Sequence, residues 1–509
     1  MKILLVEPNR PLEGFVLPLG LGYLKSNISS NIHEVKIVNC SLEGWHADDR
    51  NFKEEVLQFK PDLLGVSASF QTYSEGLKLI EVVKGINKSI VTVMGGAHPS
   101  IYADTIMENK QVDFLFRGES ELSFPIFLSQ LEADGCFSSV KGLVYRQKNG
   151  ETVKNDIMFE PKIDKIKIPD YKAIRINDYI EKGYFYGFYG GKEGRSAPIW
   201  LTRGCPYNCT YCSASKINGK RIRVHSISYV INWIQTLYSE FKITQFAIID
   251  DNFTFYIDYA KEFCRKIIKL KEEKYFKKIL SFSTPNGVRL EKLDDELLDL
   301  MRKAGWKEIT IAPESGSRKT LKKMRKSLNP EVVPDVIKRI KNKGFYVRGF
   351  FIIGYPGETW GDIKETISLI RRSRLDFAYI GRFMPIPGTD IFNELVKKKE
   401  ISTTYIHPHP SGNLELLPSK FQGIYSPKGL EDISPFLIFW RENIFLLLKK
   451  PSNILFFLRY FTRKDFRKIF IARMHIGKFI SNLFAQFHNK NKKEIRSGKG
   501  KTKKWKIQK

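Results

Sequence analysis

The stretch LTRGCPYNCTYCSAS, residues 201–215, contains three closely spaced cysteines: Cys205, Cys209 and Cys212. The chain of 509 residues has six cysteines in total, so half of them lie in this one segment. The segment follows the apolar run PIWL, which is typical of a buried strand, and we therefore expect a loop at a strand end. Three close thiolates in such a loop indicate a metal centre.

Two kinds of metal centre are compatible with three cysteines. A structural zinc ion needs a fourth ligand, usually from a second Cys or His pair. No second cysteine pair exists, and His225 is the nearest later histidine, so zinc has little support. A cubane iron–sulfur cluster held by three cysteines keeps one iron open for another ligand, and the missing fourth cysteine is then a functional feature.

The other three cysteines, Cys40, Cys136 and Cys264, are scattered singly. This distribution argues against a disulfide framework and favours a reducing compartment. The N-terminus MKILLVEPNRPLEG reads as a buried strand and a turn, without the features of a signal peptide. No apolar run is long enough to span a membrane. We therefore predict a cytoplasmic protein, with peripheral attachment to the inner face of the membrane as an alternative.

The first part of the chain alternates strand-length apolar runs with helical patterns. KILLVEP, EVKIVNC, DLLGVSAS, IVTVMGG and DFLFRGE are the strand candidates. This alternation predicts an α/β domain with a Rossmann-like, doubly wound parallel sheet, whose ligands bind at the carboxyl ends of the strands. Gly95 and Gly96 follow the fourth strand, where they would let the backbone approach a flat ligand closely.

Strands and helices alternate again after the cysteine segment begins. PIWLTRG, QFAIIDDNF, ILSFSTPNG, EITIAPESG, VRGFFIIGYPGE and AYIGRFMPIPG predict a partial (β/α)6 barrel with its site at the carboxyl ends of the strands. The predicted organisation is a sheet domain over 1–136, a connector over 137–195, the barrel over 196–395, a basic helical region over 396–485 and a lysine-rich disordered tail over 486–509.

The spacing Cys-x3-Cys-x2-Cys, with Tyr211 before the last cysteine, resembles the radical S-adenosylmethionine (SAM) superfamily. In that family the open iron of a [4Fe–4S] cluster chelates the amino and carboxylate groups of SAM. An electron from the cluster then releases a 5′-deoxyadenosyl radical. The resemblance implies that Cys205, Cys209 and Cys212 hold the cluster and carry the catalysis.

Motifs after later strands extend the resemblance along the barrel. IIDDNFT places Asp250 and Asp251 where the family holds the amino end of SAM. APESGS offers Glu314 for the SAM ribose or amino acid moiety. FIIGYPGET matches the adenine-contacting pattern. The resemblance implies that Ile352, Gly354 and Tyr211 lie beside the base. For each carboxylate, helix capping or a solvated loop end is the alternative.

The first domain resembles the cobalamin-binding subclass of this superfamily. LPLGLGYLKSNI, GVSASFQT, VMGGAHPS and DFLFRGESE match it in order over residues 1–125. The resemblance implies cobalamin binding, with Gly95, Gly96 and His98 near the corrin, although His98 also fits an ordinary loop histidine. The chain lacks an Asp-x-His-x-x-Gly motif after the first strand, and His46 has the wrong spacing. We therefore expect no axial histidine from that motif.

The cofactors implied by the resemblance, a 4Fe-4S cluster, S-adenosyl-L-methionine and cobalamin, favour methyl transfer to an unactivated carbon by way of the 5′-deoxyadenosyl radical. A radical oxidative cyclase, as in anaerobic porphyrin cyclases, or a rearrangement enzyme is the alternative. A tRNA methylthiotransferase would be expected to carry more N-terminal cysteines. A cobalamin sensor without catalysis is disfavoured by the intact cysteine motif and by the carboxylates after successive strands.

The net charge of +29 is concentrated at the C-terminus, where residues 436–509 carry 20 Lys or Arg against three acids. Aromatic and aliphatic residues alternate there with basic ones at helical spacing. This pattern fits either an anionic membrane surface or a helical cap packed on the barrel. Nucleic acid is not the expected partner. The expected partners are a small-molecule or lipid-like substrate and a reductant such as ferredoxin or flavodoxin.

Overall fold

The computed structural model describes residues 1–9, 17–183, 195–402, 426–430 and 435–449. Within these residues a seven-stranded sheet is followed by six parallel strands that form an open barrel. The structure therefore confirms the α/β architecture predicted from the alternation of strands and helices. The predicted disordered tail, the Gly- and Tyr-rich segment 184–194 and most of the basic C-terminal region lie outside the described residues.

The N-terminal sheet has the strand order β2-β1-β3-β4-β5-β6-β7. The first five strands are parallel, and β6 and β7 continue the sheet as an antiparallel hairpin whose turn contains Asn149 and Gly150. The predicted connector thus contributes two strands to this sheet. The strands are β1 Lys2–Glu7, β2 Glu34–Asn39, β3 Leu63–Ser67, β4 Val91–Gly95, β5 Phe114–Phe116, β6 Leu143–Arg146 and β7 Thr152–Lys154.

Helices cover both faces of this sheet because its central strands are apolar on both sides. In β1, Leu4 and Val6 belong to one buried core and Ile3 and Leu5 to the other, as the two-residue period of a strand requires. The helices are α1 Leu19–Asn27, α2 Cys40–Glu43, α3 Arg50–Phe59, α4 Tyr73–Ile86, α5 Ala103–Met107, α6 Ser123–Glu132 and, after the hairpin, α7 Ile176–Glu181.

The strand order reverses between β1 and β3, and ligands of open α/β sheets bind at such a switch point. The loops that follow β1, β3, β4 and β5 gather at the carboxyl edge of the sheet. This edge carries the residues that the sequence assigned to cobalamin.

The six barrel strands lie in chain order. β8, β11 and β12 pair in parallel, as do β13, β14 and β15, and bridges from Phe282 to Trp306 and from Val288 to Ile311 join the two sets. A short antiparallel pair, β9 and β10, stands at the mouth. The strands are β8 Ser196–Ile199, β9 Thr202–Arg203, β10 Arg223–Val224, β11 Gln245–Ile248, β12 Ser281–Ser283, β13 Glu308–Glu314, β14 Tyr346–Ile353 and β15 Phe377–Arg382.

Amphipathic helices surround the barrel, with their apolar faces packed on the strands. The helices are α8 Ala214–Ile217, α9 Ile227–Phe241, α10 Ile257–Glu272, α11 Asp295–Ala304, α12 Arg318–Lys323, α13 Val333–Asn342, α14 Trp360–Arg372, α15 Asp390–Lys397 and α16 Pro435–Lys449. No described helix combines the length and apolar character needed to cross a bilayer.

The last described helix, α16, covers the open edge of the barrel. The Asn443 side chain accepts a hydrogen bond from the Ala378 amide (3.0 Å) and donates one to the Ala378 carbonyl (2.8 Å), as a neighbouring strand would. Phe439 packs against Phe377 and Tyr379 of β15. Of the two interpretations of the C-terminal region, the described part therefore matches the helical cap.

Candidate functional site

The three cysteines lie in a loop, here called the cysteine loop (residues 202–224), whose neck is formed by its first and last residues, the short strands β9 and β10. β9 and β10 pair there, and the Cys205 amide donates to the Gly219 carbonyl at 3.0 Å. Gly204 has a φ of +102°, and a Cβ at this position would come within 2.5 Å of the Arg221 carbonyl oxygen. The neck therefore requires glycine directly before the first cysteine.

The middle of the cysteine loop is held by Thr210, which lies between Cys209 and Tyr211. Its amide donates to the Met324 carbonyl at 3.1 Å, and its hydroxyl shares a 2.6 Å hydrogen bond with the Tyr355 hydroxyl. Both Thr210 and Tyr355 are buried. These contacts fix the Cys209–Cys212 segment against the ends of α12 and β14.

The thiols of the loop are close enough to influence one another. Cys205 and Cys209 are half-buried, whereas Cys212 has a side open to solvent. Burial raises the pKa of Cys205, and the nearby Asp251 and Cys209 raise it further. Burial also raises the pKa of Cys212 to about 12, and the nearby Asp251, Cys209 and Cys205 raise it further.

Three mutually coupled thiols in one anchored loop fit a cubane cluster, in which each cysteine binds a different iron. The described residues contain no group of three His, Cys, Asp or Glu side chains that could hold a single metal ion. The remaining cysteines lie elsewhere: Cys40 and Cys264 are buried, and Cys136 is exposed. A cluster held by this loop would therefore take three cysteine ligands from the chain.

The two aspartates after β11 have different surroundings. Asp250 is 1% exposed and accepts hydrogen bonds from the Leu201 amide (2.8 Å) and from the amide and hydroxyl of Thr202 (2.9 and 2.8 Å). Burial raises its pKa to about 7. Asp250 thus supports the neck of the cysteine loop, and its predicted contact with SAM stays a prediction.

Asp251 is the carboxylate that lies beside the cysteines. It accepts a hydrogen bond from the Asn218 side chain at 2.8 Å, and burial raises its pKa. Its charge raises the pKa of both Cys205 and Cys212. Of the predicted pair, Asp251 is therefore better placed to meet a cationic group bound at the cluster.

Glu314 and Tyr211 meet at the end of β13. The Tyr211 hydroxyl donates to Glu314 at 3.0 Å, and Lys326 lies 3.3 Å from the same carboxylate oxygen. Glu314 has a φ of +67°, unusual for a residue other than glycine, and the pairing register of β13 shifts just before it. Such backbone strain is common where a side chain is held for function.

Ile352 and Tyr211 pack on the same apolar cluster, which also contains Leu321, Met324 and Tyr355. Gly354 follows Ile352 at the end of β14, and its amide donates to the buried Glu358 carboxylate at 2.6 Å. The structure thus brings the predicted adenine-contacting residues Tyr211 and Ile352 to one surface beside the cysteine loop. Their contact with adenine stays a prediction.

On the N-terminal sheet, Gly95 and Gly96 follow β4. Gly96 has a φ of +107°, and a Cβ there would lie 2.7 Å from the Ala68 carbonyl oxygen. The Ala68 amide donates to Gly95, and the His98 amide donates to Ala68. Gly96 is therefore required for the close packing of the loops after β3 and β4. An additional ligand contact stays a prediction.

His98 is buried between two tyrosine rings. Its ring lies 4.3 Å from the Tyr73 ring and is stacked at 5.2 Å on Tyr102, measured between centroids. Burial lowers the pKa of His98 to about 4, so the imidazole is neutral at pH 7. Its Nδ1 is buried without a hydrogen-bond partner among the described residues. Tyr102 in turn contacts Phe392 of α15, which places this stack next to the barrel.

Ion pairs between the sheet and the cysteine loop are the main feature that the sequence did not predict. Arg203 in β9 donates to Glu121 at 2.6 Å, and Arg223 in β10 makes two hydrogen bonds to Glu119, at 2.6 and 2.7 Å. Both arginines are less than 5% exposed. The acids lie in the motif RGESE after β5, but only the fold shows that the cysteine loop carries their partners.

A second contact that the sequence did not predict joins Tyr207 of the cysteine loop to Arg289. The Arg289 guanidinium stacks on the Tyr207 ring at 3.8 Å from its centroid and lowers the pKa of Cys205. Arg289 follows the third barrel strand in the segment PNGVRL, and nothing in this segment singles it out.

Comparison with known families covers both parts of the molecule. Residues 199–370 match the radical SAM superfamily, and residues 9–128 match the B12 binding domain. The first range falls within the barrel and the second within the N-terminal sheet domain. They include the cysteine loop and the loops at the carboxyl edge of the sheet.

Curated relatives match over most of the chain. Cytidylyl-2-hydroxyethylphosphonate methyltransferase from Streptomyces wedmorensis is 27% identical, over 85% of this chain and 87% of the relative. An uncharacterized methyltransferase from Pyrococcus horikoshii is 29% identical, over 79% of this chain and 85% of the relative. An anaerobic magnesium-protoporphyrin IX monomethyl ester cyclase from Rubrivivax gelatinosus is 25% identical, over 79% of this chain and 71% of the relative.

Among solved structures, the radical S-adenosylmethionine methyltransferase TsrM from Kitasatospora setae, with tryptophan and a SAM analogue bound, superposes with a TM-score of 0.64. It shares 17% identity over 78% of this chain and 76% of that chain. This likeness supports the fold of both the sheet and the barrel. The two family matches, which together span more than half of the chain, show that the chain belongs to the radical SAM superfamily and carries a B12-binding domain before the barrel.

Proposed function

We propose that this protein is a cobalamin-dependent radical SAM methyltransferase that adds a methyl group to an unactivated carbon of a small molecule. The observation that carries the proposal is the pair of buried ion pairs, Arg203–Glu121 and Arg223–Glu119, between the cysteine loop and the B12-type sheet. They hold the neck of the cysteine loop against the carboxyl edge of that sheet. The 5′-deoxyadenosyl radical from the barrel and the methyl donor on the sheet would therefore lie at the same end of the barrel.

When bound, the cluster, SAM and cobalamin supply an electron, a 5′-deoxyadenosyl radical and a transferable methyl group. Cys205, Cys209 and Cys212 would hold three irons of the cluster and would leave the fourth open to the amino acid end of SAM. Asp251 lies where it can attract the SAM ammonium group. Its own burial keeps that interaction away from bulk water.

The Tyr211–Glu314 pair and Ile352 would orient the nucleoside part of SAM. The carboxylate offers an acceptor for a hydroxyl, and the aromatic and aliphatic side chains offer flat apolar contact. Lys326 holds the Glu314 carboxylate from the other side. Because these groups are already paired with one another, SAM binding needs little reorganisation of the site.

On the sheet side, the neutral His98 and its tyrosine neighbours form a rigid aromatic layer near the carboxyl edge. We propose that this layer packs beside the corrin. Since burial keeps His98 uncharged, it can approach a macrocycle without the cost of desolvating a cation.

The substrate class follows from the curated relatives in part. One of them is named for methylation of a cytidylyl phosphonate, which is a small molecule. We propose a small-molecule substrate for this chain as well. A lipid-like substrate would require the C-terminal region to meet a membrane, and its described helix, α16, instead covers β15. Flotation with anionic liposomes tests whether the rest of the C-terminal region binds a membrane.

A radical cyclase is the second candidate because anaerobic porphyrin cyclases match over most of the chain. Anaerobic reconstitution with iron, sulfide and cobalamin, followed by turnover with methyl-labelled SAM and candidate substrates, separates the candidates. Label in a product methyl group, together with 5′-deoxyadenosine, supports the methyltransferase. Deoxyadenosine without label in the product favours the cyclase, and no deoxyadenosine at all points to a non-catalytic cobalamin sensor.

A further inference from the structure

The surface around α12 is strongly basic. Residues 318–326, RKTLKKMRK, contain six Lys or Arg and no acid. We define the α12 basic surface as the exposed side chains of Lys216, Arg318, Lys322, Lys323 and Arg325. A run of exposed cations is ordinarily a solvated face of the protein. The α12 basic surface differs from such a face because it lies next to the cysteine loop.

The backbone of α12 is in direct contact with the cysteine loop. Thr210 donates through its amide to Met324 and through its hydroxyl to the Lys323 carbonyl, each at 3.1 Å. Leu321 and Met324 pack on the apolar cluster that includes Tyr211. The cations of α12 therefore stand on a helix whose inner side touches the segment between Cys209 and Cys212.

One carboxylate connects the two parts of the surface. Asp390 accepts from Lys216 at 2.9 Å through one oxygen and from Arg325 at 2.7 Å through the other. Lys216 belongs to α8, which begins two residues after Cys212. The basic surface thus extends from α12 to the residues that follow the last cysteine.

The positive charge of this surface is only partly balanced. In the part of the chain that the structure describes, neither Lys322 nor Lys323 has a carboxylate within salt-bridge distance, and Lys323 donates instead to the Gly357 carbonyl. By contrast, α10 also carries several lysines but has three acids, Asp258, Glu262 and Glu272, on the same helix. The charge pattern of α10 is that of a solvated helix, and the pattern of α12 is that of a surface with an acidic partner.

We propose that the α12 basic surface is the docking site of a small acidic electron-transfer protein of the flavodoxin or ferredoxin type. The inference rests on the proposed function, because a cluster that cleaves SAM must first be reduced. In the step itself one electron leaves the carrier, which is oxidised, and enters the cluster held by Cys205, Cys209 and Cys212, which is reduced. No bond forms and no proton moves between the two proteins.

Two other anionic partners fit the surface less well. Proteins that bind single-stranded nucleic acid present aromatic side chains for base stacking, and α12 carries none. Membrane-binding helices place aliphatic or aromatic residues beside their cations, whereas Leu321 in α12 and Met324 directly after it are buried. The contact between α12 and the cysteine loop favours an electron-transfer partner over these two.

A flavodoxin is the probe, and the experiment compares three full-length, anaerobically reconstituted proteins: wild type, Arg318→Glu/Lys322→Glu and the control Lys266→Glu/Lys269→Glu. The control reverses the charge of two exposed lysines on α10 and changes the net charge by the same amount as the α12 variant. Binding of oxidised flavodoxin is measured by calorimetry at low and high salt. Oxidation of reduced flavodoxin by each protein is followed by stopped flow.

At low salt, we expect the α12 variant to bind flavodoxin at least about tenfold more weakly than wild type and to accept electrons from it at least about tenfold more slowly. The α10 control should remain within about twofold, and high salt should weaken wild-type binding. Cleavage of SAM driven by dithionite, which needs no docking, should be equal in all three proteins. Equal flavodoxin binding by wild type and the α12 variant, or no binding by wild type, would overturn the proposal.

The outcome separates docking from the proposed function. If dithionite drives SAM cleavage and flavodoxin does not bind, the docking proposal fails and the function stands. If flavodoxin binding depends on α12 and no substrate is methylated, docking stands and the methyltransferase assignment fails. The proposal is also overturned if the α12 variant loses binding to phosphatidylglycerol vesicles or to single-stranded oligonucleotides while its flavodoxin binding is unchanged.

Discussion

The Arg203 guanidinium donates to the Glu121 carboxylate at 2.6 Å across the boundary between the cysteine loop and the N-terminal sheet. Arg203 is 2% exposed and also lies over the rings of Tyr23 and Trp200, at 4.7 and 5.0 Å. The opposite charge of Glu121 raises the pKa of Arg203, although burial alone would lower it. One buried cation is thus shared by the two halves of the site.

Loss of this pair should be costly because it leaves Arg203 buried without its main counter-charge. We expect Glu121→Gln to lower the free energy of unfolding by about 3 kcal/mol. The control is Glu43→Gln, which removes an ion pair with the half-exposed Arg175 and should cost less than about 1 kcal/mol. Denaturant unfolding of the apoprotein measures both values. Equal losses in the two variants would contradict a buried linkage.

Each cysteine of the loop should be indispensable for the cluster. Cys205→Ala, Cys209→Ala or Cys212→Ala should abolish bound inorganic sulfide and the visible charge-transfer absorption after reconstitution. In the same three variants, SAM cleavage should fall to the background rate. Cys136→Ala is the matched control, since this exposed cysteine lies outside the loop. A loop variant that retains sulfide and absorption would exclude that residue as a ligand.

Removal of the Tyr211 hydroxyl should weaken SAM binding without loss of the cluster. Tyr211→Phe deletes the hydrogen bond to Glu314, and a bond to a charged group is worth about 1.5 kcal/mol, or roughly tenfold in affinity. Tyr229→Phe is the control, because its hydroxyl bonds the distant Ile166 carbonyl. Equilibrium dialysis with reconstituted protein provides the affinities. Unchanged SAM binding in Tyr211→Phe would place SAM elsewhere.

The stability of the barrel should depend on pH through Glu358. Burial raises its pKa to about 7, although hydrogen bonds from the amides of Gly354 and Tyr355 oppose the shift. A raised carboxyl pKa means that its stabilising contribution is complete below the unfolded-state pKa near 4.5 and is lost as the pH rises through about 7.

Glu358→Gln lacks this titration. Between about pH 5 and pH 8, wild type should therefore lose up to about 3 kcal/mol more stability than the variant. Denaturant unfolding of both proteins at the two pH values measures the difference. Asp250, whose pKa burial also raises, is present in both and cancels. Parallel pH profiles for wild type and variant would show that Glu358 does not carry the effect.

The features that depend on local spacing could be predicted from the sequence. The three cysteines lie within eight residues, and a strand precedes them, so both the loop and its chemistry were visible without a structure. The order of strands and helices likewise indicated both the sheet and the barrel. Asp250, Asp251 and Glu314 could be singled out because they lie at the ends of buried strands.

The features that depend on distant contacts could not be predicted. Glu121 and Arg203 are 82 positions apart, and neither motif shows that the other is its partner. Asp250 and Asp251 are adjacent in sequence, yet the turn after β11 directs one to the loop neck and the other to the cysteines. Likewise, a pattern that is apolar and basic at helical spacing does not reveal that Asn443 will complete the edge of β15.

The central claim is that the cysteine loop holds a cluster with one open iron, which reduces SAM. The most direct measurement is the analysis of iron, inorganic sulfide and 5′-deoxyadenosine in anaerobically reconstituted protein given SAM and dithionite. We predict iron and sulfide in the ratio of a [4Fe–4S] cluster, and deoxyadenosine formation that Cys209→Ala eliminates. Protein that binds zinc without sulfide, or that holds a complete cluster and leaves SAM intact, would contradict the claim.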